Sequence, residues 1–262
     1  MQSALEARKQ STSRCCQVGD NGRLSSDDPN MKEHSRSQRE QTRWDEEAQS
    51  YHELQRSRFG SLYDQVIRRT CANLRMENEV IEIGCGSGLV TFGIAPSVRH
   101  IKAYDISEKM LAIARLEASR QHCDNVEFLQ GDAYDLPESD SSFDVALCPY
   151  VLDIVEQPEI VLKEAHRVLK ENGFLISVTD CYQDLSPISS IRLIAREVRR
   201  SIRRAMRQAK LGAHKKSLQR DIEFIRLTND AGFRIIESEI IDIGAPNQFN
   251  LYLKAAKSDV VY

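Results

Sequence analysis

Between residues 79 and 180 the chain alternates between two hydrophobic rhythms. The runs "EVIEIG", "HIKAYD", "VEFLQG", "FDVALCPY" and "FLISVTD" are short and apolar, rich in β-branched residues, and read as strands. Between them, apolar positions recur every three or four residues, which predicts helices near 88–95, from Ser107 to about Gln121 and from Pro158 to Leu169. This alternation predicts a parallel sheet with helices on both faces, because a parallel crossover needs a helix-length connection. Two helices precede the first strand: "RWDEEAQSYHELQ" turns helical, and "FGSLYDQVIRRTCANL" places Leu62, Val66, Ile67 and Leu74 near a 3.6-residue period. After the fifth strand come the long helical stretch "DLSPISSIRLIAREVRRSIRRAMRQAKLGAHKK", a helix through "DIEFIRLTNDAG", and the strand candidates "FRIIESEII" and "NQFNLYLKAA". Gly232 reads as the left-handed cap between that last helix and the strand after it.

Composition narrows the class. The 262 residues are 41% hydrophobic and 29% charged with a formal net charge of -3, enough chain for one ample α/β domain and no general attraction to polyanions. Residues 1–40 are rich in Ser, Gln, Arg and Asp and contain "GDNGRLSSDDPN", too polar to offset the entropy of ordering, so they are expected to be a disordered tail before a domain over 41–262. The first residues lack the continuous apolar core of a secretory signal, although Arg and Ser with few acids also suit an organelle transit peptide. No apolar run approaches the roughly 20 residues that span a bilayer. Seven cysteines, two of them adjacent and none in a C-x-x-C, argue against a disulfide framework and against a zinc cage. A cytoplasmic protein is expected.

Chemistry concentrates in "VIEIGCGSGLV", residues 80–90. A strand ending at Ile83, followed by Gly84, Gly86 and Gly88 and then a helix, gives a tight turn whose backbone can approach a ligand closely at a helix N-terminus. The dinucleotide fingerprint needs a glycine where Leu89 stands, or Thr91 if counted from Gly86, so NAD is disfavoured. Asp105 ends the second strand, where an acid can accept hydrogen bonds from both hydroxyls of a ribose.

The stretch "EIGCGSG" resembles motif I, E/D-x-G-x-G-x-G, of the class I S-adenosylmethionine-dependent methyltransferases. "AYDIS" and "LQGDAYDLP" fall in register with that family's second- and third-strand motifs, and "SSFDVALCPYVLDIV", "LKEAHRVLKENGFLISV" and "LTNDAGFRIIES" continue the likeness over about residues 44–256. The likeness is to small-molecule members similar to the quinone-biosynthesis C-methyltransferases. It implies a Rossmann-like, doubly wound α/β fold whose mostly parallel seven-stranded sheet has one antiparallel strand, with S-adenosyl-L-methionine as cofactor. It also implies roles: the loop Gly84, Cys85, Gly86 and Gly88 around the methionine portion, Glu82 toward its ammonium, Asp105 and Ile106 at the ribose, Met110 at the adenine face, and Asp132 and Ala133 at the adenine edge. Tyr51 lies in a helix similar to the one that closes over the cofactor, with Trp44 nearby, and Cys148 sits in the fourth-strand motif. The family's usual Pro-Gly-Gly turn reads "ENG" here, where Gly173 would still supply the permissive residue.

Methyl transfer from a sulfonium is an in-line displacement, so the protein mainly positions the reactants and supplies a base where the acceptor carries a proton. Tyr150 and Asp153 after the fourth strand, Asp180 and Cys181 after the fifth, and Asn247 at the last could reach the carboxyl ends of the sheet, and Tyr150 and Asp180 are the catalytic candidates. His166, in "EAHRVL", reads as a partly covered helix residue, and the six histidines show no metal-ligand spacing, so no metal is expected. From Ile191 to Lys216 there are ten Lys or Arg and one Glu, a local charge of 10 - 1 = +9 beside an apolar stripe. This segment, Arg192 to Lys216, lies in an expected lid insertion at about 181–220. It would suit an anionic membrane surface, an acidic partner or an anionic substrate. It has few aromatics for stacking, which weakens a nucleic-acid reading. The expected function is methylation of a small organic, amphipathic or anionic acceptor. A non-catalytic cofactor-binding subunit, an RNA methyltransferase and another use of the sulfonium remain open at this stage.

Overall fold

A computed structural model describes residues 29–58, 60–182, 223–242 and 248–258. The expected lid segment and its cationic stretch, with Asn247, therefore lie outside the described residues. The chain divides into two compact units, Met1–Gln38 and Arg39–Tyr262, and in the first the described residues form only the opening of helix α1 (Pro29–Arg58). That helix begins well upstream of "RWDEE". Proline is tolerated in a first helical turn, and the Lys, Glu, Arg and Gln that follow are good helix formers.

In the second unit, α2 (Gly60–Cys71) leads to β1 (Glu79–Ile83), α3 (Leu89–Ile94), β2 (His100–Asp105), α4 (Glu108–Gln121), β3 (Val126–Gln130), β4 (Phe143–Pro149), α5 (Pro158–Val168) and β5 (Leu169–Tyr182). A helix over 223–230, α6, precedes β6 (Phe233–Asp242) and β7 (Gln248–Lys257). The seven strands lie in the order β3-β2-β1-β4-β5-β7-β6, and β7 alone runs against its neighbours. This is the doubly wound sheet that the sequence pattern predicts. Strand order reverses direction on either side of β1, and a crevice outside the carboxyl ends of β1 and β4 is where such sheets take ligands.

The alternation of side chains along each strand divides the core into two layers. Val80, Val145, Leu147, Ile176 and Val178 pack with Leu62 and Val66 of α2, Val90 and Ile94 of α3, and Leu111 and Ala114 of α4. Ile81, Ile83, Ala146, Cys148 and Leu175 pack with Val161, Leu162, Ala165 and Val168 of α5 on the other face. Because both faces are covered, β4 is apolar at every position but Asp144, as buried parallel strands tend to be, while β1 is apolar except at Glu79 and Glu82.

Local signals fix the ends of the helices. Ser107 caps α4, its Oγ accepting from the Met110 N–H at 3.1 Å, and Pro158 opens α5. Gly232 has φ +92, the expected left-handed cap after α6. At "ENG" the structure departs from expectation. Gly173 has no positive φ, and the segment from Lys170 is a bulge carried within β5, where the register jumps from Phe143↔Leu169 to Val145↔Phe174. A Cβ on Gly173 would lie 2.9 Å from the Lys170 carbonyl oxygen and 3.0 Å from that of Asp144. Close backbone approach, rather than a permissive dihedral, requires the glycine. Among the described residues, no helix is long and apolar enough to cross a membrane.

Candidate active site

The loop after β1 is built from backbone. Gly84, Gly86 and Gly88 have φ of +74, +54 and +85, a left-handed series that side chains would strain. The Tyr104 carbonyl at the end of β2 accepts from the N–H groups of Gly84 (2.8 Å) and Cys85 (2.9 Å), which anchors the turn to the neighbouring strand. A Cβ on Gly84 would overlap Val151, and one on Gly88 would meet the Phe92 ring, but one on Gly86 would meet no atom within 4 Å. Gly86 thus borders open space, a cradle that a side chain would partly fill.

That space is one cavity, and most of the expected site residues meet at it. Tyr51, Glu82, Gly84, Cys85, Gly86, Asp105, Ile106, Met110, Asp132, Ala133 and Tyr150 all line it. Gly88 does not line it. It caps α3 and turns the loop. Cys148 does not line it either: its side chain is fully buried in the layer against α5, where burial pushes the thiol pKa up. Strand parity places Cys148 in that layer, since Leu147 takes the other face. The backbone of Asp180 lies in β5 opposite Asn250, and its side chain is outside the described residues.

Glu82 is the most unusual group. It is fully buried, and neither carboxylate oxygen has a hydrogen-bond partner among the described residues. Burial pushes its pKa up to about 8. Asp105 adds to the rise, while the Thr91 hydroxyl offsets part of it without reaching hydrogen-bond geometry. A buried acid costs stability unless something compensates it. Here it lines an open cavity, where an ammonium group would supply both missing donors and opposite charge. The residues present therefore fit the methionine end of S-adenosylmethionine.

Asp105 is committed differently. Its Oδ2 accepts from the Gly86 N–H at 2.7 Å and its Oδ1 from the Ser107 N–H at 2.9 Å, so one carboxylate joins the glycine loop to the start of α4. Burial raises its pKa and these two N–H groups oppose the rise. Each oxygen retains a second lone pair for a hydroxyl. Asp132 follows β3 and accepts from the Tyr134 N–H at 3.1 Å, fixing a turn at the cavity wall.

The remaining walls carry weaker signals in the amino-acid sequence. Glu40, Trp44, Ala48 and Tyr51 recur at three- and four-residue intervals along α1, and Glu40, Trp44 and Tyr51 reach the cavity. Two contacts pin this stretch of helix to the site: Asp45 Oδ1 accepts from Ser107 Oγ at 2.6 Å and the Lys109 N–H at 3.2 Å, and His52 Nδ1 lies 2.9 Å from Ser87 Oγ. From α2, Tyr63 packs edge-to-face on Tyr150, with centroids 5.4 Å apart. Its place beside Leu62 and Val66 in the helical period was the available signal. Tyr150 has φ +59, uncommon for a side chain of that size, and its N–H donates to the Val178 carbonyl at 2.7 Å. This turns the ring out of the β4 line and into the cavity, where strain at a working site is expected to appear. His166 packs edge-to-face on Phe233, away from the cavity lining.

Comparison with known proteins agrees with this geometry. A family model described as a methyltransferase domain matches residues 81–177. A phosphatidylethanolamine N-methyltransferase from Cereibacter sphaeroides is 30% identical over 185 residues, 68% of this chain and 82% of that protein. A demethylmenaquinone methyltransferase from Lactococcus lactis is 36% identical over 109 residues, 40% of this chain and 43% of that protein. The chain spans less than half the length of several of the curated relatives it matches. In fold it is similar to a solved S-adenosylmethionine-dependent methyltransferase from Aquifex aeolicus, with a TM-score of 0.52 and 18% identity over 74% of this chain and 89% of that one.

Proposed function

Starting from the premise that this chain belongs to the S-adenosylmethionine-dependent methyltransferases, we propose that its cavity methylates a small amphipathic organic acceptor. The observation that supports this reading of the cofactor is Glu82, a buried acid whose two oxygens have no hydrogen-bond partner among the described residues and which shares the cavity with the open space at Gly86. Glu82 would hold the ammonium end, the loop from Gly84 to Gly86 the methionine chain, Asp105 the ribose hydroxyls, Asp132 with Ala133 the adenine edge, and Met110 the adenine face. When bound, S-adenosylmethionine supplies an electrophilic methyl group on a positively charged sulfur. The chain's part is to hold an acceptor in line with that group and to exclude water, and the ring-lined wall of Trp44, Tyr51, Tyr63 and Tyr150 is suited to both.

An amphipathic acceptor is favoured by two facts. The Cereibacter sphaeroides relative, of which this chain covers 82%, is named for a phospholipid amine, and the cavity lining beyond the acids is largely aromatic and aliphatic, with Val151, Ile154 and Val155 among it. The cationic stretch Arg192–Lys216 would add an anionic membrane surface or a substrate's phosphate to this picture. Incubating the protein with methyl-labelled S-adenosylmethionine and fractionated cell extract tests the reading. Label in lipids or small molecules is expected, and label confined to RNA or protein would overturn it.

A further inference from the structure

The two edges of the sheet differ in kind. β3 at one edge is five residues long, whereas β6 at the other runs for ten, Phe233 to Asp242. Natural edge strands avoid pairing with other chains by being short, by carrying Lys or Pro, or by a bulge. β6 has neither Lys nor Pro. It presents Ile236 and Ile240, 51% and 40% exposed, two of the five large hydrophobic side chains that stand exposed among the described residues. Its bulge lies at Ile236, where the register with β7 jumps from Ile235↔Ala255 to Glu237↔Lys254, and the strand from Glu237 to Asp242 pairs regularly. Glu237 and Glu239 are engaged within the chain, since both pair with the Arg69 guanidinium of α2, which partly neutralises the charge an approaching strand would meet.

The exposed stretch reads the same in both directions. Ile236-Glu237-Ser238-Glu239-Ile240 is symmetric about Ser238, and the strand is basic near its start, at Arg234, and acidic at its end, Asp242. Two copies of a chain associate most simply about a two-fold axis, where residue i of one meets residue j of the other and j meets i. Antiparallel pairing of two β6 strands obeys that rule. With the axis at Ser238, Ile236 of each copy stands opposite Ile240 of the other, Ser238 stands opposite its own counterpart, and the basic start of each strand lies beside the acidic end of its partner. A register shifted by one residue would set isoleucine against glutamate. We propose that β6 is a dimerisation edge, at which a second copy of this chain continues the sheet about a two-fold axis through Ser238. Glu237 of each copy then faces Glu239 of the other, and the Arg69 on each side supplies the opposing charge. The axis relates strands of opposite direction, so the two cavities open toward opposite ends of one sheet of twice seven strands.

Sedimentation equilibrium of the full chain tests this. A paired strand edge is a small interface, so a reversible dimer with a dissociation constant of about 1–100 µM is expected. Ile240→Lys removes both Ile–Ile pairs and adds the charge that edge strands use to refuse pairing, so it should weaken association by about tenfold or more. Ser238→Cys reads the register separately. Residues on the axis have Cβ atoms about 4.5–5.5 Å apart, so oxidised glutathione should link two chains of this variant well above the level seen in the parent. Arg234→Cys, about 26 Å from its counterpart in the other copy, should stay at the parent's level. A chain that sediments as a monomer up to about 200 µM overturns the proposal and leaves the edge to a different partner. A dimer that Ile240→Lys leaves unweakened overturns it too, and equal cross-linking at positions 238 and 234 overturns the axis at Ser238. Should Ile240→Lys fail to fold, Ile236→Lys takes its place, and Ser238→Cys reports the pairing with no charge introduced.

Discussion

Glu82→Gln separates what the fold wants from what the site wants. The carboxyl is fully buried and its pKa rises from an ordinary 4.5 to about 8. The folded-state value lies above the unfolded one, so the unfolded chain gives up this proton first as pH rises. The stability linked to this proton is complete below about pH 4.5, declines between about 4.5 and 8, and is lost above 8. At about 1.4 kcal/mol for each tenfold change, the difference 8 - 4.5 = 3.5 corresponds to roughly 5 kcal/mol above pH 8, and to roughly 3 kcal/mol at pH 7. These are upper figures, because a buried site relaxes when it charges. Glutamine has nearly the same shape and never ionises. The cofactor-free variant should therefore be more stable than the parent at pH 8 by several kcal/mol and nearly equal to it at pH 5. Urea unfolding of both proteins at half-unit steps from pH 5 to 9 measures this as a widening gap in midpoint. In the same variant, affinity for S-adenosylmethionine should fall at least about tenfold at pH 9, where the parent's carboxylate is charged and able to pair with the ammonium. A pH-independent gap between the two stability curves, or unchanged cofactor affinity, would refute the account of Glu82.

Other substitutions probe the remaining parts of the site. Gly84→Ala forces a side chain to φ +74 and against Val151, so it should destabilise the protein by at least about 1–2 kcal/mol in urea titrations, and an unchanged midpoint would contradict the loop geometry. Asp105→Ala leaves the N–H groups of Gly86 and Ser107 without their acceptor and removes the ribose partner; calorimetry should show cofactor binding weakened by about 1–3 kcal/mol, against no change if Asp105 only braces the turn. Replacing Arg199, Arg200, Arg203 and Arg204 by Gln should lower binding to anionic vesicles and leave cofactor affinity alone; identical vesicle partitioning would remove the membrane surface from the reading.

Much of the site was legible because its parts are local. Each of Gly84, Gly86 and Gly88 answers to a backbone conformation that the neighbouring residues cannot escape, and the acids Glu82, Asp105 and Asp132 sit within two residues of strand ends that the β-α rhythm locates. Cys148 shows where this ends. β4 is buried on both faces, so its apolar run contains no alternation from which to tell which side a given residue takes, and the cysteine points into the layer against α5. The bulge at Gly173 was hidden for a similar reason, since a close approach between two backbones leaves the same single letter as a left-handed turn.

The sequence by itself determined the order of strands and helices, the glycine turn after the first strand and the acids around it, because those depend on interactions between residues a few positions apart. Tertiary structure alone decided that α1 and α2 bring Glu40, Trp44, Tyr51 and Tyr63 to the end of β4, where a left-handed Tyr150 turns to meet them. A polar helix such as α1 has no apolar stripe wide enough to announce which face is covered. Its face is chosen by two hydrogen-bonded anchors, Asp45 on Ser107 and His52 on Ser87, whose partners lie 62 and 35 positions away along the chain.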